Sequence, residues 1–193
     1  QFLTGSSDGT VYLWDSYTGG ELARLRGHAD GVTCAAFAPD GKQILTGSND
    51  STARLWDRHT ARELAVLRTG YQVTSVAFAP DGRYLLTGST DGSVHLWDRS
   101  TFSELACLRA HTSAVRSMAF APHGQVVLTC DASGRVFFWR IASSISATPI
   151  GLYIAHYEIA AISWSDAHHL LLADAGGPGG RPHVYDLSLE GMS

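Results

Sequence analysis

The chain has 193 residues, 45% of them hydrophobic and 17% charged, with a net charge of −4. That is apolar enough to bury a core, while the mild acidity disfavours a nucleic-acid partner, whose phosphates need a basic surface. No apolar run approaches the ~18 residues of a membrane span and no signal peptide opens the chain. The three cysteines, Cys34, Cys107 and Cys130, have no paired spacing, so neither a disulfide framework nor a zinc site is expected and the thiols are expected to be reduced.

In chain order, Gln1 to Ser6 and Thr10 to Asp15 are short runs rich in Val, Leu, Tyr and Thr around Asp8-Gly9. This is hairpin chemistry and predicts two antiparallel strands. After a turn at Ser16 to Gly20, Glu21 to Leu25 alternates polar and apolar residues, as a strand with one wet edge does. Val32 to Phe37 is nearly all apolar or small and is predicted to be the most buried strand. Ala38-Pro39-Asp40-Gly41 then turns the chain, proline supplying a fixed φ and glycine a permissive one.

From there the pattern repeats. Leu-Thr-Gly-Ser at Leu45 to Ser48 leads to Trp56-Asp57, the same four residues at Leu86 to Ser89 lead to Trp97-Asp98, and a worn copy from Leu128 ends at Trp139-Arg140. Spacings of 42, 41 and 42 residues separate Trp14, Trp56, Trp97 and Trp139, inside the ~40–45 residue period of a β-propeller blade. The third strand recurs at Glu63 to Leu67 and Glu104 to Leu108, and the inner one at Val73 to Phe78, Val115 to Phe120 and, more divergently, Ala160 to Trp164. A four-stranded antiparallel sheet of this kind cannot hide both apolar faces alone, so stacked neighbours must cover them.

At these residues the chain resembles the WD-repeat β-propeller family. The resemblance rests on Gly27-His28, on the Trp-Asp ends, and on Asp8, Asp50 and Asp91, each six residues before its Trp. It is strong over residues 1 to about 142 and weak over 150 to 187. It implies an all-β propeller of about 4.5 four-stranded antiparallel blades: an incomplete blade over 1–27, blades over 28–68, 69–109 and 110–155, the last with a divergent end, and a divergent incomplete blade over 156–193. Closure takes ~4–8 blades, and seven at ~42 residues need about 290. The blades are therefore expected to belong to a larger propeller, seven-bladed or double, whose remainder lies before Gln1, after Ser193, or both. In the last unit Trp164 takes the inner-strand Phe position, Tyr185-Asp186 stands for Trp-Asp, and a Gly/Pro-rich loop runs from Ala175 to Arg181.

His28, Thr46, Asp50 and Trp56 include the imidazole, hydroxyl and carboxylate of nucleophilic catalysis. They recur from unit to unit, however, and an enzyme needs one site. The resemblance implies instead a buried hydrogen-bond chain within each blade, which gives the indole N–H an acceptor. The first unit keeps Thr4, Asp8 and Trp14. The third keeps Thr87, Asp91 and Trp97 but has Thr69-Gly70-Tyr71 where Gly-His belongs, so its network is expected to be incomplete. The fourth has His111, Thr129 and Trp139, with Ser133 at the Asp position, which shortens the acceptor and removes its charge.

The other histidines, His59, His95, His123, His156, His168, His169 and His183, follow no ligand spacing, and no metal or cofactor is expected. An adaptor role in cullin-type ubiquitin ligases is unsupported, because Arg58 and Arg99 follow the Asp one place earlier than the Trp-Asp-x-Arg box of some family members requires. The expected function is a non-catalytic protein–protein interaction scaffold, not an enzyme. Its partners are expected to be other proteins or other domains of the same chain in a larger complex, in the cytoplasm or alternatively the nucleus and away from membranes. The alternative is a regulatory or sensor propeller attached to an enzyme or a nucleotide-binding oligomerisation ATPase in the same longer chain. Loops on one face carry the candidate contacts: Ser7, Ala29, Asp30, Asn49, Tyr71, Gln72, Thr90, Thr112, Ser113, Tyr157, Glu158 and Arg181, with Tyr71 and Tyr157 as aromatic anchors.

Overall fold

The computed structural model describes residues 1–141, 147–154, 159–164, 169–174 and 184–188. Among them every regular element is a strand, and each sheet is an antiparallel meander in chain order. The first sheet contains β1 (Phe2–Gly5), β2 (Thr10–Trp14) and β3 (Glu21–Arg26). The second contains β4 (Val32–Phe37), β5 (Gln43–Ser48), β6 (Thr52–Asp57) and β7 (Glu63–Arg68). The third contains β8 (Val73–Phe78), β9 (Tyr84–Ser89), β10 (Ser93–Asp98) and β11 (Glu104–Arg109). The fourth contains β12 (Val115–Phe120), β13 (Val126–Asp131), β14 (Arg135–Ile141) and β15 (Ala147–Ile154), and the fifth β16 (Ile159–Trp164), β17 (His169–Asp174) and β18 (Val184–Ser188). Adjacent sheets meet through their inner strands, β4 beside β8, β8 beside β12, and β12 beside β16.

Local chemistry sets the reversals. Gly9, Gly92 and Gly134 hold φ near +82° at the β1–β2, β9–β10 and β13–β14 turns, a conformation that costs residues with a Cβ energy. In the second sheet Ser51 occupies that slot at φ 65°. Its neighbour Asp50 supports the turn, its Oδ1 accepting from Thr52 N at 2.9 Å and Thr52 Oγ1 at 2.6 Å. On the opposite rim the aspartates after Trp14, Trp56 and Trp97 cap turns. Asp57 accepts from the backbone N–H of His59 and Thr60, and Asp98 from those of Ser100 and Thr101.

The cores lie between sheets. Val11, Leu13 and Leu25 pack against Ile44 and Trp56 of the next sheet. Leu45, Leu55 and Leu67 likewise meet Val73, Leu85 and Trp97, and Leu86, Val94 and Leu96 meet Val115, Val127 and Trp139. The indoles of Trp56, Trp97 and Trp139 thus plug into the preceding sheets. An indole burying ~200 Å² contributes about 5 kcal/mol at roughly 25 cal/mol per Å², more than the hydrogen bond it makes, so apolar burial is the main force holding sheet to sheet.

The inner strand is not the most buried one, contrary to its apolar composition. Thr33 and Ala35 of β4 are exposed, whereas five of the six residues of β5, β9 and β13 are buried. β5 has strands on both sides and sheets on both faces, while β4 is the edge of its sheet. Its small residues serve close approach instead. A Cβ on Gly47 would lie 2.5 Å from Val73 Cγ1 and 2.6 Å from Cys34 Sγ, so the next sheet seats its first inner-strand residue on bare backbone. Gly47→Ala is expected to lower stability by about 1–3 kcal/mol through overpacking. A thermal melt of the intact protein checks this, and an unchanged midpoint would show that the sheets can part at no cost.

A second device ties the lower rims. Arg58 donates to Gln1 Oε1 of the preceding sheet at 2.8 Å and to Gly41 O at 2.7 Å. Arg99 donates to Gln43 Oε1 at 2.7 Å and pairs with Asp40 at 2.8 Å. The corresponding residue of the fourth sheet is Ile141, and there a cleft of about 440 Å³ opens, lined by Asp81, Arg83, Tyr84, His123 and Arg140 among others.

The fifth sheet corrects one expectation. Leu187 lies opposite Leu170, the place Trp56 holds opposite Ile44, and Tyr185 lies opposite Leu172, the counterpart of Thr46. Tyr185-Asp186 is therefore displaced by two residues from the Trp-Asp position. A shift of two keeps every side chain on its face, so the apolar pattern could not reveal it. The 175–181 loop lies outside the described residues.

Candidate functional site

The buried chain is complete in the second sheet. Trp56 Nε1 donates to Thr46 Oγ1 at 2.9 Å, the Thr46 hydroxyl donates to His28 Nε2 at 2.8 Å, and His28 Nδ1 donates to Asp50 Oδ2 at 2.9 Å. A neutral ring with its proton on Nδ1 gives every donor of this chain an acceptor, and the Thr46 hydroxyl has a second, longer one in Arg54 O at 3.4 Å. Thr46 is fully buried and its oxygen is engaged on both sides, which leaves it no approach for a substrate. Burial pushes the Asp50 carboxyl up, but hydrogen bonds from Thr52, Ala29 and His28 outweigh that and hold it well below the usual carboxylate range.

Burial lowers the affinity of His28 and His111 for a proton, against the opposing pull of Asp50 and Asp131. The sign follows. A histidine whose folded pKa lies below its unfolded value of 6.5 contributes stability that is present above that pH and lost as pH falls toward the folded value. Asp50 and Asp131, also lowered, extend the loss through the carboxylate range. Chemical denaturation at a series of pH values is expected to show a plateau above about pH 6.5 and a decline below it. A rise in stability on acidification would contradict the neutral-ring network.

The other copies differ. In the first sheet Trp14 Nε1 donates to Thr4 Oγ1 at 2.8 Å, and Asp8 accepts from Thr10 N at 2.8 Å. In the third sheet Trp97 Nε1 donates to Thr87 Oγ1 at 3.0 Å with no imidazole behind it, as the missing Gly-His predicts. Thr69 instead ties its loop to the turn, its Oγ1 lying 3.0 Å from Ser51 O and 2.7 Å from Tyr71 O, while Asp91 accepts from Ser93 Oγ at 2.6 Å.

The fourth sheet overturns the expectation that Ser133 replaces the acid. Asp131, two residues earlier and fully buried, places Oδ2 2.8 Å from His111 Nδ1. His111 Nε2 and Trp139 Nε1 meet Thr129 Oγ1 at 2.6 and 2.8 Å. Ser133 donates to Asp131 Oδ1 at 2.6 Å, so it supports the carboxylate instead of standing in for it. The end of β13 lies beside the same turn, and its side chain reaches the imidazole from there. Burial raises the Asp131 carboxyl, but the bonds from Ser133 and His111 bring it below its ordinary value.

Nine of the candidate contact residues are among the described residues, in loops of one rim. Ser7, Ala29, Asp30, Tyr71, Gln72, Thr90 and Thr112 are exposed, and Asn49 and Ser113 half-buried. Tyr157, Glu158 and Arg181 lie outside the described residues. Backbone bonds pin the rim: Val32 N to Ser6 O, Asn49 N to Gly31 O, Thr90 N to Gln72 O and Ala132 N to Ala114 O. Tyr71 is 54% exposed at its crest. Two further residues escaped the sequence reading. Arg135 reaches this rim from β14 and donates to Thr112 Oγ1 at 2.8 Å. Tyr17, 99% exposed on the opposite rim, is an apolar ring at a turn position held by His59 and Ser100 in other units. Among the described residues one group could hold a metal ion, His95, Glu104 and Cys107, whose ligand atoms lie within 4.8 Å of one another.

Sheets of four strands with inter-sheet tryptophans and a repeated His-Thr-Asp-Trp chain define a propeller-blade protein. The WD domain, G-beta repeat family matches residues 1–15, 19–57, 62–98 and 102–140, two thirds of the chain, and the chain belongs to that family. Coronin-7 from Mus musculus is 46% identical over 41 residues, which is 21% of this chain and 4% of that protein. The chain thus matches only a small part of that relative's length. Domains of this family typically are non-catalytic and generally mediate protein–protein interaction.

Proposed function

We propose that this chain is a non-catalytic interaction scaffold that holds partner proteins, or other domains of its own chain, on the rim carrying Tyr71. One observation carries this reading: a row of exposed loop residues is held by main-chain hydrogen bonds around a half-exposed aromatic ring. Binding groups on loops held by a stiff scaffold lose little entropy on association, and a tyrosine supplies area at low entropic cost. Work inside a larger complex in the cytoplasm or nucleus fits the reduced state of the three thiols.

The test compares complexes captured from cells with the intact protein and with two variants. Tyr71→Ala combined with Gln72→Ala is expected to weaken a native association by about tenfold or more, the scale of an interface hot spot. Tyr17→Ala on the opposite rim is expected to leave it unchanged. Loss with Tyr17→Ala alone would move the interface to the other face.

A further inference from the structure

The third sheet differs from the first two in how its outer strands satisfy one glutamate. In the first sheet Glu21 pairs with Arg24 at 2.6 Å, and in the second Glu63 pairs with Arg54. Glu104 occupies the same place opposite its tryptophan. Neither arginine is retained there. By strand register His95 stands where Arg54 does, and Cys107 stands where Arg24 does.

Hydrogen-bond accounting shows what the exchange leaves. Ser93 Oγ lies 2.6 Å from Asp91 Oδ1, a distance that commits its proton to the carboxylate. The same oxygen lies 3.0 Å from His95 Nε2 and so accepts from an Nε2–H. A neutral imidazole carries only one N–H, which leaves a bare lone pair on Nδ1, 3.1 Å from Glu104 Oε1. Lone pair against carboxylate is repulsive unless a second ring proton or a metal ion stands between them. Cys107, paired directly across from His95 in the ladder, brings a sulfur ligand to the same spot, all within 4.8 Å.

We propose that His95 Nδ1, Glu104 and Cys107 Sγ bind one divalent metal ion of borderline softness, with zinc the natural occupant. Nitrogen, carboxylate and thiolate are its preferred donors, and three protein ligands leave a fourth position for water or a partner's side chain. The ring is held in place for this role. It stacks on Trp97 at 5.8 Å, and the Ser93–Asp91 pair fixes its tautomer in the way outer-shell groups do. His95 is buried while the Glu104 side chain is 41% exposed, so the ion has an entrance from solvent. Binding displaces the Cys107 proton, forming the metal–sulfur bond and releasing H⁺ to water. Because burial holds that thiol above its ordinary value, the metal must supply the driving force for the loss.

The experiment titrates cobalt(II) into the intact protein after chelation and reads the thiolate-to-cobalt charge-transfer absorption. One equivalent with that band is expected. Cys107→Ser should abolish the band, and Ser93→Ala should weaken binding by about tenfold by freeing the ring. Cys34→Ser and Cys130→Ser should leave the band intact, and circular dichroism confirms that each variant is folded. Should Cys107→Ser fail to fold, Cys107→Ala with zinc uptake measured by competition against a chromophoric chelator gives the same answer. No band in the parent protein, or a band that survives loss of Cys107, overturns the proposal and leaves a doubly protonated His95 paired with Glu104.

Discussion

Asp131→Ala is expected to destabilise the intact protein by about 2–3 kcal/mol, the scale of losing a buried hydrogen bond to a charged acceptor, whereas Ser133→Ala should cost about 1 kcal/mol. Asp131 is fully buried and accepts from His111 Nδ1, Ser133 N, Ser133 Oγ and Arg135 N. Removing it strands the buried His111 Nδ1–H, which water does not reach, while the Ser133 and Arg135 donors lie nearer solvent. The Ser133 side chain contributes one of those four bonds, and Ser133 is exposed. If Ser133 were the acid's replacement, the ranking would reverse. Urea denaturation of the two variants side by side therefore decides which residue completes the fourth network, and equal effects would remove Asp131 from it.

Thr46→Val is expected to cost about 3 kcal/mol although it conserves shape. The substitution deletes the one oxygen between Trp56 Nε1 and His28 Nε2. Two buried groups then lose a partner, at ~1–3 kcal/mol each. Thermal melts test this. A variant as stable as the parent would mean that the indole's apolar burial alone holds the sheets.

Much of the site was legible because its signals are local. Thr46, Asp50 and Trp56 lie within one hairpin, and their hydrogen bonds follow from a turn whose length is fixed. The same register put Ser7, Asn49, Thr90 and Thr112 on one rim. Asp131 was missed because alignment by position assumes that the acid must come six residues before the tryptophan. Side-chain reach does not obey that rule: a carboxylate on the strand end and one in the turn can point at the same imidazole.

Repeat length, strand order, turn positions and the alternation of buried and exposed faces were determined by the sequence itself, since period and turn chemistry act over a few residues. Tertiary structure alone decided four things. It set the two-residue displacement in β18, which preserves facing parity, and the burial ranking, which depends on how many strands and sheets surround a strand and not on its composition. It paired Arg58 with Gln1 and Arg99 with Gln43 across sheets. Finally, it gathered His95, Glu104 and Cys107, which no linear ligand spacing marks. They meet because a bulge between Leu96 and Trp97 sets the pairing of β10 with β11, and proximity across a ladder is a property of register, which forms only when the strands pair.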